Sequence, residues 1–255
     1  MTTFDDAGRQ TATGGADDGS MSLQAYLDAQ AAAGGNSTIP FSDLLRPFMS
    51  ASVRLRAKQV ATAAAVPLAR RRAGERSTRG GLRLHLGSGG NNLPGWVNVD
   101  LVGAGADVTW DLRRPLPFPE DSADAVFLEH VLEHMTVAEG MAVLRHALTV
   151  MAPGGVLRVG VPDAGLYASS YVGGDGAIDE LRPGRPTRML ALAEVFQEHG
   201  HVSAWDGETL ALVIGSVGFT GAEVMPGGTS HLEPAPDSPA RIPESVYVEA
   251  VAPGA

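Results

Sequence analysis

From Gly81 onward, short apolar runs alternate with helical stretches and with glycine or proline stops. This alternation restricts the chain to an α/β fold, a mostly parallel, doubly wound sheet with helices on its faces. The pattern predicts strands over 82–86, 96–101, 123–128, 156–161, 222–225 and 245–251, the last with a period of two. Thr136 and Glu139 have the spacing of a capping box and open a helix that stops at Pro153-Gly154-Gly155. Another helix is expected near 187–198, then a loop over 198–205, then a helix capped by Asp206 that ends before Gly218. In such sheets ligands gather at the carboxyl ends of the strands, near the point where strand order reverses. The residues that follow each strand are therefore the ones to read for chemistry.

The first 80 residues have another texture. Residues 1–20 are rich in Gly, Asp, Thr and Ser, hold almost nothing to bury, and are expected to form a disordered tail. Helices are expected over 22–33 and over 42–72, the second broken near Pro67, so that residues 21–80 form a basic helical cap. Arg46, Arg54, Arg56, Lys58, Arg70, Arg71, Arg72, Arg76, Arg79 and Arg83 face only one acidic residue, Glu75, in that stretch. It carries +9 of charge and leaves −19 on the remainder, within a net charge of −10. A basic patch suits RNA, DNA or an anionic lipid. The scarcity of stacking aromatics favours a solvated helix face packed on the acidic body, and no nucleic-acid partner is expected. With no cysteine there is no disulfide, thiolate metal site or cysteine nucleophile. No apolar run approaches the ~20 residues of a spanning helix, and the acidic, polar N-terminus is the reverse of a secretory signal. A cytoplasmic protein is expected.

Five short motifs carry the chemistry. Leu84-His85-Leu86-Gly87-Ser88-Gly89-Gly90 places glycines after a buried strand, where backbone can approach a ligand that a side chain would exclude. Asn98-Val99-Asp100 puts a carboxylate at a strand end, able to accept from both hydroxyls of a ribose. The dinucleotide fingerprint fails here, because Asn92 stands at its third glycine and Asp100 comes too early for the ~20-residue spacing of that motif. Trp110-Asp111-Leu112 pairs a polar with an apolar side chain, which suits an adenine edge and face. Glu129-His130-Val131-Leu132-Glu133-His134 follows a strand directly, and Met151-Ala152-Pro153-Gly154-Gly155 precedes one that ends at Asp163.

In this order the five motifs resemble the class I methyltransferases that use S-adenosylmethionine (SAM). The match is to the type-11-like group, whose glycine motif runs into Gly-Trp-x-Asn-x-Asp, here Gly95-Trp96-Val97-Asn98-Val99-Asp100. The resemblance is strong over 82–165, looser over 195–225, and implies a methyltransferase domain over 81–255. It implies a Rossmann-like sheet of seven strands, the last antiparallel, with SAM as cofactor. Leu86, Gly87, Ser88 and Gly89 would then lie along the methionine and ribose. Asp100 and Leu101 would hold the ribose, Asp111 and Leu112 the adenine, and the Glu129-His130 turn would sit near the methionine end. The stretch from Gly90 to Pro94 is short for the usual first helix.

The resemblance does not fix a catalytic residue. Methyl transfer from a sulfonium is an in-line displacement that depends on alignment, and a hydroxyl acceptor gains from a base. His130 and His134 are four apart, as if on one helix face, and histidine titrates in the right range. Asp163 is expected to face the same cleft, and His199, with His201, lies on a loop expected to close over it. Glu133 is expected to cap or brace a helix. A divalent ion such as magnesium on His130, His134 and Asp163 is compatible with the residue types but is not predicted. The expected activity is O-methylation of a sugar, polysaccharide or secondary-metabolite hydroxyl, with a small-molecule or glycan acceptor as partner. N- or C-methylation, or a SAM-binding scaffold without turnover, is the alternative. A homodimer is left open.

Overall fold

The computed structural model describes residues 21–33, 51–77, 81–102, 105–197 and 200–254. The expected tail over 1–20 and the candidate base His199 lie outside the described residues. Three helices come first: α1 (Leu23–Ala33), α2 (Ala51–Ala64) and α3 (Val66–Ser77). The break expected near Pro67 falls at Ala65, and Pro67 enters the first turn of α3, where its missing N–H costs no hydrogen bond. α3 is tied to the body by Arg76, whose guanidinium lies 2.8 Å from Asp107, and α2 by Thr62, whose hydroxyl accepts the Val102 N–H at 3.0 Å.

The body is one seven-stranded sheet: β1 (Leu82–Leu86), β2 (Val97–Asp100), β3 (Val108–Thr109), β4 (Ala123–Glu129), β5 (Met151–Pro162), β6 (Thr220–Met225) and β7 (Ser245–Val251). Its order is β3-β2-β1-β4-β5-β7-β6. The first five strands are parallel, and β7 runs antiparallel to both β5 and β6. Between β1 and β4 the order reverses, and the ends of those strands frame the site. β1, β4 and β5 are buried along most of their length, as central strands covered on both faces must be.

The remaining helices are α4 (Val137–Val150), α5 (Ala164–Gly173), α6 (Ala177–Leu181), α7 (Arg188–Gln197) and α8 (Gly207–Val217). Among them α4 shows the local code most plainly. Thr136 accepts from the Glu139 N–H, the Glu139 carboxylate accepts from the Thr136 N–H, and the helix buries Gly140, Val143, Leu144, Ala147 and Val150 on one stripe. Asp206 caps α8 as expected, accepting from the Thr209 N–H at 2.8 Å.

Four elements differ from the sequence expectation, among them the short strand β3, which no apolar run announced. β5 begins at Met151, through the Pro-Gly-Gly run taken for a stop. A bulge absorbs the run, and a Cβ at Gly155 would lie 2.9 Å from Ala152 O and 3.0 Å from Ala123 O. α5 and α6 were not anticipated, because Gly165, Gly173, Gly174 and Gly176 dilute the helical pattern. Tertiary packing supplies what propensity lacks: Tyr167, Ile178, Ala191 and Val195 form a buried cluster that joins α5, α6 and α7. Among the described residues no helix is long and apolar enough to cross a membrane.

Candidate active site

At the carboxyl ends of β1, β2 and β4 the chain encloses a cavity of about 360 Å³, within the roughly 300–1,000 Å³ range of small-molecule sites. One wall is backbone. Gly87, with φ +76°, turns the chain so that its N–H donates to Val99 O at 2.8 Å. A Cβ there would lie 2.3 Å from a Val131 methyl. Gly89 also has positive φ, but a Cβ on it would meet nothing within 4 Å, because it faces the open cavity. The Gly89 N–H donates to Asp100 Oδ2 at 2.7 Å and the Leu101 N–H to Asp100 Oδ1 at 2.5 Å. Each oxygen accepts one of these bonds and can accept another, and Asp100 lines the cavity. Burial raises the Asp100 pKa above the ordinary carboxylate value, while these two N–H donors and the Lys58 ammonium act the other way.

Asn98 explains why this loop holds its shape. Its Oδ1 accepts from the Leu93 N–H at 2.8 Å and pairs with His85 Nδ1 at 3.2 Å. Its Nδ2 donates to Leu93 O, Trp96 O and Asp107 Oδ2. One buried amide thus ties the short 90–96 turn to the segment before β3. Trp110, Asp111 and Leu112 close the far wall of the cavity. The Asp111 carboxylate holds the Arg113 N–H and Nε, both at 3.1 Å. The Trp110 indole N–H and the Ser88 hydroxyl are both buried without a hydrogen-bond partner. Other atoms of Trp110 line the cavity.

The other end of the cavity is made of imidazoles. His130 sits at φ +55°, a turn conformation, and the following segment Leu132–His134 is a 3₁₀ turn. His130 and His134 therefore do not share an α-helical face, because the chain reverses between them. His130 Nε2 lies 2.8 Å from Ser245 Oγ, and Nδ1 lies 3.0 Å from the Arg241 guanidinium, which can only donate. Burial first, then the Arg241 charge, pulls the His130 pKa down to about 3. His134 lies at the lip of the cavity. Between these histidines Glu133 is 1% exposed, and neither of its carboxylate oxygens has a hydrogen-bond partner. Burial pushes its carboxyl up to about 8.

Residues 99–159 match a family model described as a methyltransferase domain. The match spans 61 of the 255 residues, and over that segment the chain is similar to methyltransferase domains. No curated protein matches it. Similar solved structures include a SAM-dependent methyltransferase from Archaeoglobus fulgidus, at 14% identity and TM-score 0.46, covering 76% of this chain and 94% of that one. Human N-acetylserotonin methyltransferase in complex with SAM is 17% identical at TM-score 0.45, covering 91% of this chain and 66% of that one. A SAM-dependent methyltransferase from Mesorhizobium loti is 20% identical at TM-score 0.42, covering 68% and 91%.

The fold brings Gly87, Gly89, Asp100, Leu101, Asp111, Leu112, His130 and His134 together around one cavity. Leu86 and Ser88 lie buried behind it. The Glu129 carboxylate is turned away, accepting from the Ser238 N–H at 2.9 Å, from the Ser238 hydroxyl, and from the Tyr247 hydroxyl at 2.8 Å. Asp163 caps α5 by accepting the Leu166 N–H at 3.0 Å, so its carboxylate is a helix cap and joins no cluster with His130 and His134. Glu133 caps no helix; its carboxylate points into the group of imidazoles. One cavity residue escaped sequence reasoning. Lys58, the only lysine, reaches the cavity from α2, and no spacing rule links residues 40 apart. His201, expected on a loop over the cleft, reaches Glu133 from the loop before α8.

Proposed function

We propose that the chain is a SAM-dependent methyltransferase that transfers the methyl group of SAM to a hydroxyl oxygen of a small acceptor such as a sugar, polysaccharide or secondary metabolite. The observation that carries this reading is the continuity of the cavity from the Gly87–Gly89 turn to the imidazoles of His130 and His134. A hydroxyl must shed a proton as it attacks, and a wall of histidine side chains is where that proton is handled. In this reading Asp100 accepts from the ribose hydroxyls, the backbone at Gly87 and Gly89 lies along the methionine and ribose, and Trp110, Asp111 and Leu112 frame the adenine. SAM supplies an electrophilic methyl, and the chain supplies alignment of the acceptor oxygen with it. A pKa of about 3 makes His130 a poor base near neutral pH, so its part is to orient the acceptor, and His134 at the lip acts on the hydroxyl.

A panel of hydroxylated and amine-bearing acceptors, assayed with methyl-labelled SAM and resolved by mass spectrometry and NMR of the product, tests the reading. Label in an O-methyl group, with turnover lost on changing His134→Ala, is the expected result. Label found only on nitrogen or carbon contradicts it.

A further inference from the structure

We propose that Glu133, His134 and His201 form a binding site for one divalent transition-metal ion at the acceptor edge of the cavity. The binding stands on its own geometry; only its catalytic consequence rests on the O-methylation reading.

Glu133 is the starting point. Its side chain is enclosed where the 3₁₀ turn meets the 200–205 loop, and its backbone carbonyl pins that loop by accepting from the N–H groups of Val202 at 2.8 Å and Ser203 at 3.3 Å. Neither carboxylate oxygen finds a hydrogen-bond donor. Buried polar groups are otherwise paired with protein, water or metal, and an isolated buried carboxylate is among the costliest exceptions. What faces Oε1 is a set of ring nitrogens: His130 Nδ1 at 3.5 Å, His134 Nε2 at 3.9 Å and His201 Nε2 at 4.0 Å.

The second observation is the orientation of His201. Its Nδ1 lies 2.7 Å from Val195 O, so Nδ1 carries the hydrogen and donates it, and Nε2 presents a lone pair toward Glu133. Metal-binding histidines are held in this manner, the second nitrogen donating to a carbonyl or carboxylate. His134 and His201 stack edge-on with ring centroids 4.9 Å apart. One ligand atom from each of the three residues lies within 4.8 Å of the others. Ligand atoms about 2.1 Å from a tetrahedral ion sit about 3.4 Å apart, so closure from separations of up to 4.8 Å is within reach of side-chain rotation. His130 is already committed to Ser245 and Arg241 and is left out of the set.

Two imidazoles and one carboxylate suit zinc, cobalt(II), iron(II) or nickel, and are poor in oxygen for magnesium or calcium. Because His134 lines the cavity, the open coordination positions face the acceptor. An ion there lowers the pKa of a bound hydroxyl as it does that of bound water, which is how His134 would act on the acceptor.

Tag-free full-length protein, stripped with a chelator and dialysed, is titrated with cobalt(II) followed by visible d–d absorption and with zinc by calorimetry. Neither SAM nor acceptor is present, so the outcome is independent of which atom is methylated. One equivalent is expected to bind. Glu133→Gln, which keeps the buried shape, and His201→Ala are expected to weaken binding by more than the roughly 10–100-fold seen when only supporting residues change. His231→Ala, at an exposed histidine bonded to Glu249, is expected to bind like the unaltered chain. Absence of saturable cobalt or zinc binding, or equal affinity in Glu133→Gln with its melting temperature preserved, overturns the site.

Discussion

The two ends of the cavity are built in opposite ways. The end proposed to hold the cofactor is assembled from residues 87–112, a short run in which glycine turns, one strand-end carboxylate and one buried amide do the positioning through hydrogen bonds with the backbone. The acceptor end joins His130 and His134 to His201, Arg241 and Ser245, segments up to 115 residues apart in sequence, mainly through side chains. The first kind of site leaves a signature in spacing, because neighbours in space are neighbours in the chain. The second leaves almost none. Tolerance to change should differ accordingly, and that difference is open to experiment.

The largest effect is expected at the cofactor turn. Gly87→Ala places a Cβ 2.3 Å from Val131 at φ +76°, combining left-handed strain with overpacking, each of about 1–3 kcal/mol. Denaturant unfolding should show a loss of about 2–5 kcal/mol together with loss of SAM binding. Gly89→Ala, at φ +54° with open space around it, should lose only about 1–2 kcal/mol. Equal losses at the two glycines would break the account of the turn.

Next in size is a pH effect beneath the cofactor end. Burial lowers the His85 pKa from 6.5 to about 4 against the bond to Asn98. Because the folded state binds fewer protons than the unfolded one between those values, this contribution is fully present above pH 6.5. It is lost as pH falls toward 4, and amounts to about 3 kcal/mol at most. In His85→Leu the acid limb of the stability curve should be shallower over that window. An unchanged limb would remove His85 from the ledger of acid sensitivity.

A smaller effect separates structure from chemistry at the acceptor end. Asp163→Ala removes the cap of α5 and should cost about 1 kcal/mol of stability, with turnover held within a few-fold. A hundredfold loss of turnover at unchanged stability would restore Asp163 to the chemistry.

These contrasts explain what was legible. The capping box at Thr136 and Glu139, the Asp206 cap and the alternation of β7 were readable because each is a local pattern with a fixed period. Seven strands with the last antiparallel were implied by the resemblance of the motifs, while their order came only with the structure. The turn at His130 was not readable, since a non-glycine residue at positive φ is held by Ser245, Arg241 and Gly160 rather than by its own preference. Spacing of four between His130 and His134 suggested a helix where the chain makes a 3₁₀ turn. Asp163 looked like chemistry because a carboxylate at a strand end serves equally as a helix cap. Glu129 follows β4 as the motif requires, yet its carboxylate is held by Ser238 and Tyr247 on a segment more than 100 residues away.

The central claim is that Asp100, held by the Gly89 and Leu101 N–H groups, is the anchor of the cofactor. Calorimetric titration of SAM into the unaltered chain and into Asp100→Asn, with melting temperatures recorded beside it, tests it most directly. Hydrogen bonds to a charged group contribute about 1.5–3 kcal/mol. The predicted result is a fall in SAM affinity of at least about tenfold, with the fold retained. An affinity unchanged by the substitution would contradict the account and move the ribose contact elsewhere in the cavity.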